Sequence, residues 1–198
     1  VGGELKLASL NTLNFWINDG GQRRGARSPE QFDIQSEKLV AAVISLGADV
    51  LALQELQNDP VADALAPQRV DVATDFAVDT DGTVLGTESA EVLAELVNRE
   101  LGKPGLYRAI DTGVIGTDAI KVGFIYNSRK VKPVGDFSVV DNSVSLDYQD
   151  DRNRPSLVQT FEELSTGLEF TAVSVHLKSK GASDIGSACG DDPNSSID

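Results

Sequence analysis

SPEQFDIQSEKLVAAVISLGADVLALQE, residues 28–55, holds a helix and a strand with almost no chain between them. Ser28 is an N-cap residue, Pro29 suits the first helical position and Gln31 completes a capping box. Phe32, Leu39, Val43 and Leu46 recur at helical spacing, and Gly47 is a C-terminal stop. Asp49 to Gln54 then runs as a short, nearly all-apolar strand of the kind buried on both faces. Upstream, Glu4 to Asn11 alternates around apolar residues and reads as a strand with Leu5, Leu7, Ser9 and Asn11 on one face. Strand, helix and strand in such quick succession predict a layered α/β domain.

Outward from this unit the pattern continues. Residues 12–28 read as a polar loop carrying Arg23, Arg24 and Arg27, and residues 57–88, without a clean period, as an insertion. A second helix is expected over Ala90–Leu101, on Val92, Leu93, Leu96, Val97 and Leu101. Strands are expected near 106–111, 119–127, 131–139, 155–164 and 168–178, with a polar connection at 140–154 and a polar loop tail at 181–198. No internal repeat is visible.

The bulk numbers bound the answer. The chain has 198 residues, suited to one domain or most of one, and 40% hydrophobic residues, enough for a sizeable core. No apolar run approaches the roughly 20 residues of a membrane span. With no Met and no signal-like start, the chain reads as a piece of a longer one. The net charge of −14 argues against nucleic acid as a partner unless a local cationic site interrupts an acidic body.

Several residues have the chemistry of a site. Glu55 ends the apolar strand, where a carboxylate can hold a hard cation or simply be solvated. Asn11 ends the first strand, either as a turn former or as an amide that orients a metal ligand, a metal-bound water or a phosphate oxygen. His176, the single histidine, lies in Val175-His176-Leu177-Lys178-Ser179-Lys180. A period of two puts it on one face with Ser174, Lys178 and Lys180, opposite Val173, Val175 and Leu177. Such a face suits a phosphodiester, the histidine donating and the lysines offsetting charge, but a lone histidine is also a common structural residue. Arg154 offers a fork of donors matched to phosphate oxygens, or is a surface Arg before a Pro-started strand, with Arg152 as the lesser candidate.

Taken in order, Ser9-Leu10-Asn11-Thr12-Leu13-Asn14-Phe15, Leu53-Gln54-Glu55, Asp118 to Asn127, Arg152-Asn153-Arg154-Pro155 and Val175 to Gly181 resemble successive motifs of the endonuclease/exonuclease/phosphatase family. The nearest resemblance is to its secreted bacterial nucleases, and it spans the chain apart from the insertion. It implies a DNase I-like four-layer α/β/β/α sandwich, incomplete in this chain. It implies hydrolysis of phosphodiesters in DNA or RNA with Mg2+, or alternatively Ca2+ or Mn2+. It casts Glu55 as a metal ligand, Asn11 as positioning metal or phosphate, and His176 as hydrogen-bonding the scissile phosphate. Asp118 would be the acidic partner that orients His176, while Arg154 and Lys178 would contact phosphate.

The family's later Gly-Asp-x-Asn segment and final Asp-His pair have no counterpart. The 198 residues therefore read as the N-terminal portion of one such domain, inactive alone, from a secreted monomer without a membrane span. Cys189, the lone cysteine, is expected to pair with a residue beyond Asp198. A phosphatase or sphingomyelinase-like lipid phosphodiesterase on the same fold, or a binding domain that kept the scaffold, are the alternatives.

Overall fold

The computed structural model describes residues 5–17, 25–58, 86, 88–145, 148 and 153–177. Most of the expected insertion, Arg23, Arg24, Arg152, Lys178, Lys180, Cys189 and the whole 181–198 tail lie outside the described residues.

The order of elements is β1 (Leu7–Phe15), α1 (Pro29–Leu46), β2 (Val50–Gln57), α2 (Ser89–Leu101), β3 (Tyr107–Ala109), β4 (Ile120–Asn127), β5 (Val131–Val140), β6 (Ser156–Glu163) and β7 (Glu169–Ser174). They form a four-stranded sheet in the order β1-β2-β4-β3 and a three-stranded sheet β5-β6-β7. β1 and β2 are parallel, as strands joined through a helix can be, and the remaining pairs are antiparallel. β2 and β4, central in the first sheet, are the most completely buried strands, as expected of layers covered on both faces.

α1 begins as its sequence requires. Ser28 accepts a hydrogen bond from the Gln31 N–H at 3.3 Å, while the Gln31 side chain reaches back to the N–H of Arg27 at 3.0 Å, one residue beyond the usual capping box. At the other end Gly47 is left-handed, φ 53°, and its N–H returns to the Val43 carbonyl. Phe32, Leu39 and Val43 are buried, whereas Leu46 is 40% exposed in the last turn.

Two apolar layers hold the body together. One lies between the helices and the first sheet, where Phe15 stacks on Phe32 at 5.4 Å and Val92, Leu93 and Val97 meet Leu51, Leu53 and Ile125. The other lies between the sheets and centres on Phe161, whose ring meets Phe124, Tyr126 and Phe170 at 5.7–5.9 Å. The described residues are thus a mixed α/β body of three layers, helix, sheet and sheet. No helix among them is long and apolar enough to cross a membrane.

Expected strand limits hold closely from β3 to β6, but β1 runs on through Phe15 into the stretch read as a polar loop, because Phe15 is buried, β2 extends to Gln57, and β7 stops at Ser174 rather than near 178. Its pairing with β6 ends at Leu157↔Ser174, close to where Pro155 precedes the strand and offers no N–H to continue the ladder. Alternation nevertheless persists to the last described residue. Ser174 is buried and His176 half-buried, while Val173, Val175 and Leu177 are exposed.

Candidate functional site

The site forms where one end of both sheets comes together. β1 and β2 run parallel and finish there, antiparallel β4 starts there with Asp118 just before it, Arg154 precedes β6 and His176 follows β7. Residues remote in sequence are therefore neighbours. His176 Nε2 lies 3.6 Å from Glu55 Oε1, with the two side chains 16% and 19% exposed.

Glu55 is aimed by a pair of irregularities. The β1–β2 register breaks between Asn11 and Phe15, and the β2–β4 register between Leu53 and Leu56. Such bulges re-aim a side chain at the cost of local pairing. Leu13 and Asn14 (φ 57°) and Glu55 (φ 62°) all take the left-handed conformation. Asn tolerates it, but for Leu and Glu it costs roughly 1–2 kcal/mol each, so surrounding bonds must offset the strain. Thr12 Oγ1 donates to the Gln54 carbonyl at 2.8 Å, and Gln35 Nε2 donates to the carbonyls of Thr12 and Leu13, both at 3.0 Å.

Both carboxylate oxygens of Glu55 are held. Asn11 Nδ2 donates to Oε1 at 2.8 Å, and the backbone N–H and Nδ2 of Asn14 both donate to Oε2 at 3.1 Å. Asn11 Oδ1 in turn accepts the Leu13 N–H at 2.8 Å. Asn11 thus caps the turn through its oxygen and holds the Glu55 carboxylate through its nitrogen. Oε1 retains a lone pair on the side facing His176, so the donor chemistry fits a hard, oxygen-seeking cation. Among the described residues no group of three or more His, Cys, Asp or Glu gathers around one point.

Arg154 Nε pairs with the Asp118 carboxylate at 2.7 Å. The sequence reading set Asp118 to orient His176; here the carboxylate meets the permanently charged guanidinium instead, and His176 Nδ1 is buried with no hydrogen-bond partner among the described residues. Burial lowers the pKa of His176 below its ordinary value and nearby Arg154 lowers it further, against the opposing pull of Glu55 and Asp118. These residues thus share one electrostatic environment.

The loop carrying Asp118 is fastened by a residue that sequence reasoning missed. Asn58, buried just after β2, donates to the carbonyls of Ile115 and Asp118 at 2.8 and 2.7 Å and accepts the Ile115 N–H at 3.0 Å. Its only sequence signal is a polar residue directly after a buried strand. Arg154 is fixed from its own side by the Tyr148 hydroxyl, which donates to its carbonyl at 2.5 Å. The two loops touch at Gly116, where φ is 64° and a Cβ would sit 2.9 Å from Pro155 Cγ. Gly116→Ala is therefore expected to destabilise more than Gly113→Ala, where φ is 55° but no atom lies within 4 Å of the added carbon. The shared left-handed cost is about 1–2 kcal/mol; urea unfolding of both variants isolates the Pro155 contact, and equal losses would show that it contributes nothing.

Asn14 and Gln35 were also not singled out in the sequence. Lys178, expected against phosphate, lies outside the described residues.

No protein-family model matches the chain, and no curated protein matches it significantly. Solved structures resemble it in shape. An endonuclease/exonuclease/phosphatase from Bacteroides vulgatus has a TM-score of 0.48 at 12% identity, over 89% of this chain and 54% of its own. ANGEL2, a 2',3'-cyclic phosphatase solved with adenosine-2',3'-vanadate, has 0.47 at 16%, over 87% and 41%. The human Nocturnin catalytic domain, solved with a sulfate anion, has 0.45 at 14%, over 90% and 52%. The chain spans about half or less of the length of these structures.

Proposed function

We propose that this chain is part of a secreted, Mg2+-dependent phosphodiesterase that cleaves nucleic acid, with Glu55 as a ligand of the ion and His176 and Arg154 on the scissile phosphate. The observation that carries the reading is the meeting of Glu55 Oε1 and His176 Nε2, 121 residues apart in the chain, at 3.6 Å. That separation is too long for a good hydrogen bond, and it brings an acceptor for a cation beside a donor for an anion.

In this reading Asn11 and Asn14 hold the Glu55 carboxylate at fixed orientation, and its Oε1 faces the ion. When bound, the ion supplies positive charge for the charge developing on the phosphoryl oxygens. His176 Nε2 donates to a phosphoryl oxygen or to the departing oxygen. Arg154, held against Asp118, places a fixed positive charge beside it. The described residues gather no group of three or more His, Cys, Asp or Glu, so the reading requires further ligands and a group that activates water from elsewhere in the protein.

Nucleic acid is preferred to a phospholipid or a phosphomonoester because Asn11-Thr12-Leu13-Asn14-Phe15 and His176-Leu177-Lys178-Ser179-Lys180-Gly181 resemble secreted nucleases most closely. The test is hydrolysis by the natural protein that contains this chain, offered plasmid DNA, RNA, sphingomyelin vesicles and a phosphomonoester, with Mg2+ or EDTA. DNA or RNA should be degraded in Mg2+ and spared in EDTA. Activity confined to the lipid or the monoester would remove the nuclease assignment, and full activity in EDTA would remove the metal.

A further inference from the structure

We propose that Gln35, on α1, is a positioning residue for the Glu55 carboxylate and acts through the Thr12–Asn14 bulge; the proposal rests on the reading of Glu55 as a metal ligand. One side-chain NH2 group donates to two successive carbonyls, Thr12 O and Leu13 O, each at 3.0 Å, across 23 and 22 residues of sequence. Those carbonyls sit where β1 loses register with β2 and where the backbone turns left-handed at Leu13 and Asn14.

Packing anchors the two ends of this turn, through buried Thr12 and Phe15, but not its middle, where the Leu13 side chain is 71% exposed. Polar contacts hold it instead, and among the described residues the hydrogen bonds it receives from a helix are those of Gln35. The clamped turn is also the source of the donors on Glu55, Asn14 giving two hydrogen bonds to Oε2 and Asn11 one to Oε1. With Oε2 doubly occupied, Oε1 is the oxygen left available on the side of His176. Gln35 thus acts two steps from the carboxylate, Gln35 to the turn and the turn to Glu55. It is not needed for the packing of its helix, whose buried side chains are Phe32, Ser36, Leu39, Val40 and Val43.

The experiment uses the natural protein and three variants, Gln35→Leu, Asn14→Gly and Glu55→Gln. Mn2+ affinity is followed by electron paramagnetic resonance of the free ion, kcat and KM are measured separately on an oligonucleotide, and Tm is recorded for each. Partners that orient a metal ligand are typically worth about 10- to 100-fold in affinity or activity. Gln35→Leu should therefore weaken Mn2+ binding and lower kcat by about tenfold, with KM and Tm nearly unchanged. Asn14→Gly should also weaken binding and lower kcat. Its Tm should not fall, since glycine suits the left-handed backbone at that position. Should Gln35→Leu fail to fold, Gln35→Met, which keeps the length of the side chain and removes its donor, is measured in its place with the same expected losses and the same overturning result.

Unchanged Mn2+ affinity and kcat in Gln35→Leu, or losses that only track Tm, overturn the proposal while Glu55→Gln still abolishes binding. If Glu55→Gln itself binds Mn2+ like the wild type, the reading of Glu55 fails and the positioning role falls with it.

Discussion

In the natural protein that contains this chain, His176→Ala should slow phosphodiester hydrolysis at least about a hundredfold, the usual scale for a positioned proton donor. Glu55→Gln should cost at least about as much, because the amide keeps the shape but removes the negative charge that holds the ion. Both side chains face one point, 3.6 Å apart, so their losses should not multiply. Groups that act as a unit are strongly non-additive, and the double variant should be little worse than the poorer single one. Steady-state rates on DNA or RNA in Mg2+ measure this directly. A His176→Ala enzyme within a few-fold of wild type would leave the histidine as a structural residue of the sheet edge.

The largest effect on stability is expected at Lys121. Its ammonium is 2.9 Å from Glu88 Oε2, with side chains 4% and 16% exposed, and it also donates to Thr112 Oγ1 and the Gly113 carbonyl. Removing one partner of a buried ion pair leaves the other charge without compensation, which typically costs about 3–5 kcal/mol. Lys121→Met should lose that much in urea unfolding at pH 8.

The pH dependence follows from Glu88. Burial raises its pKa above the ordinary carboxylate value, Lys121 opposes the rise and Asp111 adds to it. An acid whose folded pKa is raised binds its proton more tightly when folded, so its contribution to stability falls as pH climbs from the unfolded value through the folded one. Without Lys121 the folded pKa rises further, and the loss at pH 5 should be smaller than at pH 8. A cost below about 1 kcal/mol, or one independent of pH, would mean that the pair is effectively solvated.

Much of the body was legible because local chemistry and tertiary need agree. Ser28, Pro29 and Gly47 mark the limits of α1 by rules that need no partner, and the apolar run of β2 announces burial on both faces. Glu55, Asp118, Arg154 and His176 each stand within two residues of a strand end, as their sequence positions suggest, whereas Asn11, expected to end the first strand, lies inside β1. What the sequence did not reveal depends on long-range pairing. β7 keeps its alternation past Ser174, but its ladder stops there, beside the start of β6 at Pro155. Leu46 has helical spacing yet stands in the last turn of α1, where it is exposed.

The aiming of Glu55 was the least visible feature. It needs Leu13 and Glu55 in a conformation that both residues disfavour, held by Gln35 from a helix and Asn14 from the neighbouring strand. Asp118 is placed by Asn58, through hydrogen bonds spanning 57 and 60 residues that no local pattern encodes.

The most direct test of the site is a crystal structure of the natural protein with Mn2+ and a short oligonucleotide carrying a non-hydrolysable linkage. The anomalous signal of the metal should lie in coordination contact with the Glu55 carboxylate. The phosphate it touches should lie within hydrogen-bond reach of His176 Nε2, with Arg154 alongside. Metal and phosphate bound together away from Glu55, or a phosphate at Glu55 with His176 turned out of reach, would contradict the account.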